Sequence, residues 1–101
     1  MNQKTITVIV AKDLEDLIPT FMTNRGKELE TLRVALGAGD MEQLRQLGHR
    51  MKGVGNSYGF EQISVLGKKF EDDAKTRDLP ALQALIVEYA DYLARVKVVY
   101  E

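Results

Sequence analysis

Residues 47–60 read Leu47-Gly48-His49-Arg50-Met51-Lys52-Gly53-Val54-Gly55-Asn56-Ser57-Tyr58-Gly59-Phe60, and they hold the only histidine of the 101-residue chain. Wound as a helix at about 100° per residue, the stretch and the turn before it sort into two faces. With His49 at zero, Leu44, Leu47, Met51, Val54 and Tyr58 cluster within roughly 40° of the opposite pole, which makes that side a core face. Arg45, Gln46, Lys52, Gly53 and Asn56 fall within roughly 60° of the histidine. The spacing predicts an amphipathic helix from about residue 41 to about residue 57. His49 stands on its solvent side, in a polar and cationic strip.

The flanking sequence continues the helical pattern in both directions. Upstream, Gly37-Ala38-Gly39-Asp40 is a stop and a restart: glycine ends one helix and Asp40 caps the next. Before it, Leu14, Leu17, Ile18, Phe21 and Met22 share one face, and Leu29, Leu32 and Leu36 extend the stripe. Pro19 interrupts that run because it lacks an N–H and restricts Ile18. A short helix ending near Ile18 and a longer one starting near Pro19 are expected, since proline suits a first helical turn. Downstream, Gly59 marks a tight turn. A further helix carries Phe60, Ile63, Leu66, Phe70 and Ala74. Thr76-Arg77-Asp78 breaks the pattern, and Pro80 opens a last helix with Leu82, Leu85, Ile86, Tyr89, Leu93 and Val96 inward.

Links this short predict sequential helices packed antiparallel. The fold class is therefore all-α, an up-down four-helix bundle with a short extra N-terminal helix. Residues 5–10 and 96–100 are β-branched and apolar, which suits extended segments; pairing between them would tie the termini together. The expected organisation is a single domain over 1–101: an N-terminal arm 1–11, a helical bundle 12–97 and a tail 98–101.

Composition narrows the function. Fourteen basic residues against fifteen acidic ones give a net charge of −1, without the basic excess of a nucleic-acid binder. With no cysteine and one histidine, neither a disulfide framework nor a transition-metal site is expected. No apolar run reaches the roughly 20 residues of a membrane span, and the first residues lack a secretory pattern. A cytoplasmic monomer is expected. No G-x-x-x-x-G-K-[ST] phosphate loop is present, and 101 residues leave no room for an ATP-binding domain beside the bundle.

The neighbours of His49 give it a chemistry. Imidazole has an unperturbed pKa near 6.5, so the neutral nucleophile is available at pH 7, and its nitrogen can carry a covalent phosphoryl group. Lys52, three residues on, can neutralise phosphoryl oxygens as a mobile point charge. Gly53, four residues on, strips the surface beside the ring so that a partner's backbone can approach. Gly48 and Gly55 add to the helix-propensity cost of about 1 kcal/mol per glycine. Close helix packing accounts readily for Gly55 and poorly for the outward Gly53. A nucleophilic histidine also needs its other nitrogen held by an acceptor. Glu71, at the edge of the next helix's apolar stripe, can reach across to it; an ion pair with Lys68 or Lys75 fits the spacing equally well. Lys68 and Lys69 are nearby cations for an acidic partner surface, with Lys69 more readily read as part of a solvated face.

The stretch from Leu47 to Phe60 resembles the signature of the histidine-containing phosphotransfer (HPt) domain family: a histidine, a hydrophobic residue, Lys-Gly, then a glycine closing the helix. The resemblance extends to Phe70-Glu71, to the turn Leu36-Gly37-Ala38-Gly39-Asp40, and overall to about residues 14–93. Gly48 departs from it, since the family usually has alanine or another small residue there; this departure is expected to leave the function intact. The resemblance implies a free-standing phosphocarrier, not an enzyme, with a phosphohistidine at His49, Lys52 stabilising the phosphoryl charge and Glu71 orienting the imidazole. Arg45, Gln46, Gly53, Asn56 and Lys68 are the expected docking residues. The implied partners are response-regulator receiver domains and a histidine kinase or hybrid kinase. No cofactor is expected on this chain; Mg2+ is expected on the receiver. The alternative is a helical adaptor that docks a receiver without accepting phosphate. An acid–base enzyme using His49 with Glu71 is disfavoured, because an exposed helix face does not exclude water.

Overall fold

In the computed structural model, which describes residues 4–101, four helices follow one another with short links. The first three residues of the expected arm lie outside the described residues. The helices are α1 (Ile18–Ala38), α2 (Met41–Ser57), α3 (Glu61–Lys75) and α4 (Leu79–Arg95). Each helix packs on its neighbours around a closed ring, α1 on α2, α2 on α3, α3 on α4 and α4 back on α1, with α2 and α3 in the most extensive contact. This is the expected all-α bundle.

Local chemistry sets the helix ends. The α1 chain leaves through Gly39 at φ 69°, the left-handed conformation in which glycine carries no Cβ penalty. Asp40 then caps α2 by accepting a hydrogen bond from the Gln43 N–H at 3.1 Å. Asp78 does the same for α4 through the Ala81 N–H at 3.1 Å, with Pro80 in the first turn. Gly59, at φ 88°, turns the chain between α2 and α3. The helix expected before Pro19 is a single 3-10 turn, Lys12–Leu14. Leu17, expected on the apolar face, is exposed at the N-cap of α1.

Leu32, Leu44, Met51, Phe60, Ile63, Leu66, Phe70, Leu82 and Tyr89 form a fully buried centre. Val54 and Tyr58, expected on the core face of α2, are half-buried at its margin. Tyr58 stacks on Phe21 at 4.5 Å between ring centroids, and Phe21 stacks on Phe60 at 5.0 Å, which seals the end of the bundle near the α2–α3 turn. A polar contact lies within the core. Glu28 is buried, accepts a hydrogen bond from the Tyr89 hydroxyl at 2.9 Å and sits 3.2 Å from Arg25 Nε, joining α1 to α4. Burial raises the carboxyl pKa of Glu28, with the Arg25 charge and the Tyr89 hydrogen bond working against it. Burial likewise raises the Tyr89 hydroxyl, so it stays a donor.

The termini pair as the extended segments β1 (Ile6–Val10) and β2 (Val96–Tyr100), in parallel, with Ile6 opposite Val96 and Val10 opposite Tyr100. Their alternating burial turns Ile6, Val8 and Val10 of β1 toward the bundle. Val96, expected as an inward position of the last helix, is the first residue of β2; the helix ends at Arg95. Its φ of −68° and ψ of 136° are extended backbone. The pairing supplies the physical reason: β-branched Val96, Val98 and Val99 gain ladder partners that one more helical turn would not give.

Candidate functional site

The site forms where α2 and α3 lie closest. A Cβ built on Gly48 would stand 2.6 Å from the backbone nitrogen of Glu71 and 2.7 Å from the carbonyl oxygen of Gly67. A Cβ on Gly67 would stand 2.5 Å from the Lys52 backbone nitrogen and 2.7 Å from the Gly48 carbonyl oxygen. A Cβ on Gly55 would stand 2.6 Å from Ser64. No side chain fits at any of these three places. The expectation that helix packing concerns Gly55 is therefore extended: Gly48 is buried in the same interface.

This approach brings Glu71 of α3 under the outer face of α2. Its side chain is only 7% exposed, against 63% for His49. Glu71 Oε2 lies 3.0 Å from His49 Nδ1. A carboxylate only accepts, so Nδ1 carries the proton and donates; in the neutral ring Nε2 then holds the free lone pair. The other oxygen, Oε1, takes the Lys52 ammonium at 2.9 Å. Lys75 stands 4.0 Å from Oε2, and Lys68 turns away to Asp72 at 3.0 Å. Of the partners the spacing offered to Glu71, the structure brings His49 and adds Lys52. Lys75 is peripheral and Lys68 is elsewhere.

The electrostatics follow from these contacts. The hydrogen bond from Lys52 is the largest influence on Glu71 and, with those from His49 and the Lys52 and Lys75 charges, holds its carboxyl at about 2 against the opposing effect of burial. Glu71 is thus a fixed anion at neutral pH, with one oxygen committed to the ring. That geometry leaves the lone pair of the neutral ring on the solvent-side nitrogen and sets a carboxylate against the other.

The remaining strip residues surround this pair. Gly53 is exposed, and a Cβ there would meet open space, which leaves the surface beside His49 low. Arg45 is half-buried and held by Glu42 through two hydrogen bonds of 2.8 and 2.6 Å; exposed Gln46 donates to the same carboxylate at 3.2 Å. Asn56 is exposed, and its backbone N–H donates to Ser64 Oγ at 2.8 Å. Asn56, Lys52, Ser64, Val65, Lys68 and Lys69 border an open groove between α2 and α3. Sequence reasoning missed the part of Gly67 and the added bond from Lys52 to Glu71. The seven-residue spacing of Gly48 and Gly55, which puts both on one helix face two turns apart, carried a signal for the close interface.

No helix is long and apolar enough among the described residues to cross a membrane. No curated relative and no solved structure matches the chain. A family model described as Hpt domain matches residues 16–98, which takes in all four helices and β2 as far as Val98. The bundle, the exposed ring on α2 and the match over most of the chain agree, and the chain belongs to the Hpt domain family, whose members are histidine phosphotransfer modules of phosphorelays and have no kinase activity of their own.

Proposed function

We propose that this protein carries a phosphoryl group on Nε2 of His49, received from a phosphorylated receiver domain or a histidine kinase and passed to the aspartate of a response-regulator receiver. The observation that carries this reading is the 3.0 Å contact between His49 Nδ1 and a buried, ionised Glu71. It fixes the tautomer and leaves Nε2 as the nucleophile on an exposed ring.

In the transfer, the Nε2 lone pair forms a bond to phosphorus as the bond from phosphorus to the donor atom breaks, a carboxylate oxygen on a receiver aspartate or a ring nitrogen on a kinase histidine. The electron pair stays on that atom. The ring becomes cationic while Nδ1 keeps its proton, and Glu71 stabilises that charge. Lys52 meets the phosphoryl oxygens by turning its flexible stem from Glu71. In-line positioning and charge stabilisation dominate such a step, and the Mg2+ it uses belongs to the receiver. Arg45, Gln46, Asn56 and Lys68 border the docking surface, and Gly53 admits the partner's loop. The protein acts as a cytoplasmic monomer.

The test is labelling by phosphoramidate and by a phosphorylated receiver domain. Acid-labile, alkali-stable phosphate is expected on the wild type and absent from His49→Gln. Label that survives His49→Gln would remove the assignment. A wild type that binds the receiver and never takes label would make the protein an adaptor.

A further inference from the structure

The two-stranded sheet at the termini leaves one edge of β1 open beside α3. At the end of the ladder the Glu101 N–H donates to the Val10 carbonyl at 3.1 Å, and the Lys12 N–H donates to the Glu101 carbonyl at 2.9 Å. Successive residues of a strand turn their N–H and C=O groups to opposite edges. Ile6, Val8 and Val10 therefore serve β2, while Thr7 and Ile9 face away, and their backbone groups find no partner among the described residues. Proteins commonly blunt such an edge with a proline, a lysine or a bulge. The register with β2 runs unbroken from Ile6 to Val10, and that segment holds neither proline nor lysine.

The open edge runs along a groove. Thr7 and Ile9 form one wall, and Gly59, Glu61, Gln62 and Val65 form the other. Past Ile6 and Gln62 the groove continues to Glu88, Asp91 and Arg95. Tyr92 borders both parts, and its buried hydroxyl has no hydrogen-bond partner among the described residues. Apolar surface lies bare on both walls, with Ile9 59% and Val65 40% exposed. The groove is also acidic. Glu61, Glu88 and Asp91 stand against one cation, Arg95, which is taken up by Asp91 at 2.9 Å and by the Lys4 carbonyl at 2.7 Å. Glu61 and Glu88 make no ion pair among the described residues. The groove between α2 and α3, by contrast, is lined by Lys52, Lys68 and Lys69.

We propose that the groove between β1 and α3 binds an extended, basic segment of a partner protein, which adds to β1 as a third strand through the backbone groups of Thr7 and Ile9 and sets its cationic side chains against Glu61 and Glu88. In strand addition of this kind the main-chain bonds supply affinity and alternate side chains supply specificity. A third strand also completes a sheet that two strands alone hold poorly. A second copy of this chain is a poorer occupant, because its own β1 would bring β2 along on the far edge, where α3 stands. Nothing in this contact depends on phosphoryl chemistry at His49.

The experiment titrates the 15N-labelled full chain with a synthetic peptide of alternating valine and threonine carrying two lysines at each end, up to about 1 mM. A second peptide has glutamates in place of the lysines. With the lysine peptide, the amides of Thr7 and Ile9 are expected to shift and to gain protection from exchange, with further changes confined to β1, Gln62, Val65 and Tyr92. The glutamate peptide binds at least roughly tenfold more weakly, the scale of two exposed ion pairs turned repulsive. The double variant Glu61→Lys, Glu88→Lys exchanges that preference. Thr7→Pro removes an outward N–H that β2 does not use, as proline does on edge strands, and abolishes binding while the β2 amide signals stay in place. If Thr7→Pro loses those signals, the charge-exchanged variant decides alone. The absence of shifts with either peptide would overturn the proposal, as would equal affinity for both, or wild-type binding by a folded Thr7→Pro. Changes centred on Lys52 and Lys68 would move the segment to the other groove. Thr7 and Ile9 amides that shift when the protein alone is concentrated would give the edge to a second copy and refute the partner segment.

Discussion

His49 Nδ1 and Glu71 Oε2 meet at 3.0 Å although the two residues come from different helices and differ widely in exposure. The ring projects into solvent while the group that orients it is buried beneath. That division lets a partner reach the far nitrogen without disturbing the near one. It also keeps the carboxylate out of competing contacts with solvent ions, so its charge remains directed at the ring and at Lys52.

The ionisation of Glu71 contributes to acid stability. Its carboxyl is lowered from 4.5 to about 2, chiefly by the hydrogen bond from Lys52. A lowered folded-state value means that the unfolded chain binds the proton first on acidification. The contribution is present above the unfolded value and is lost as pH falls through the folded one. The difference in melting temperature between wild type and Glu71→Gln should hold steady from pH 7 to about 5 and close between 4.5 and about 2. Calorimetric scans across pH check this; a difference that widens with acid would contradict it.

Lys52→Ala should separate chemistry from folding. The ammonium is 42% exposed and Glu71 keeps the His49 contact without it. Transfer to a receiver should slow by roughly ten- to a hundredfold, the scale of a lost charge-stabilising donor, a larger effect than the modest fall in the urea midpoint expected from the lost contact with Glu71. Quench-flow transfer and equilibrium unfolding on the same preparation decide the matter, and matched losses in both would contradict it.

Gly53→Gln should move stability and transfer in opposite directions. A side chain at Gly53 meets open space, so replacing an interior helical glycine should stabilise by about 0.5–1 kcal/mol. The same side chain would fill the cleared surface beside His49 and weaken receiver docking. A stabilised variant with unimpaired transfer would take Gly53 out of the docking surface.

Tyr89→Phe should destabilise by about 1.5–3 kcal/mol, the usual worth of a hydrogen bond to a charged group. The acceptor is Glu28, whose carboxyl is raised by burial. Such a group favours folding most in its protonated form, and that contribution is lost as pH rises through the folded-state value. Removing the Tyr89 hydroxyl withdraws a contact that stabilises the anion, so the penalty should be larger at pH 7 than in acid. Urea unfolding at the two pH values measures it.

Much of this protein follows from the sequence alone. Periodicity placed the four helices, Gly39 and Asp40 marked a boundary to the residue, and the wheel put His49 outside with Gly53 beside it. These features depend on local rules: side-chain spacing, caps and the missing Cβ of glycine. The tertiary structure decided what the spacing left open. Glu71 had three partners within reach by sequence; the close seat of α3 on α2 at Gly48 and Gly67 gave it His49 and Lys52 and left Lys68 to Asp72. Likewise, Val96 fits by sequence both the last helix and the extended tail, and it becomes strand because β1, some ninety residues earlier in the chain, offers it a ladder. Local rules can say which face a residue is on, but the distance between two faces is a property of the packed pair.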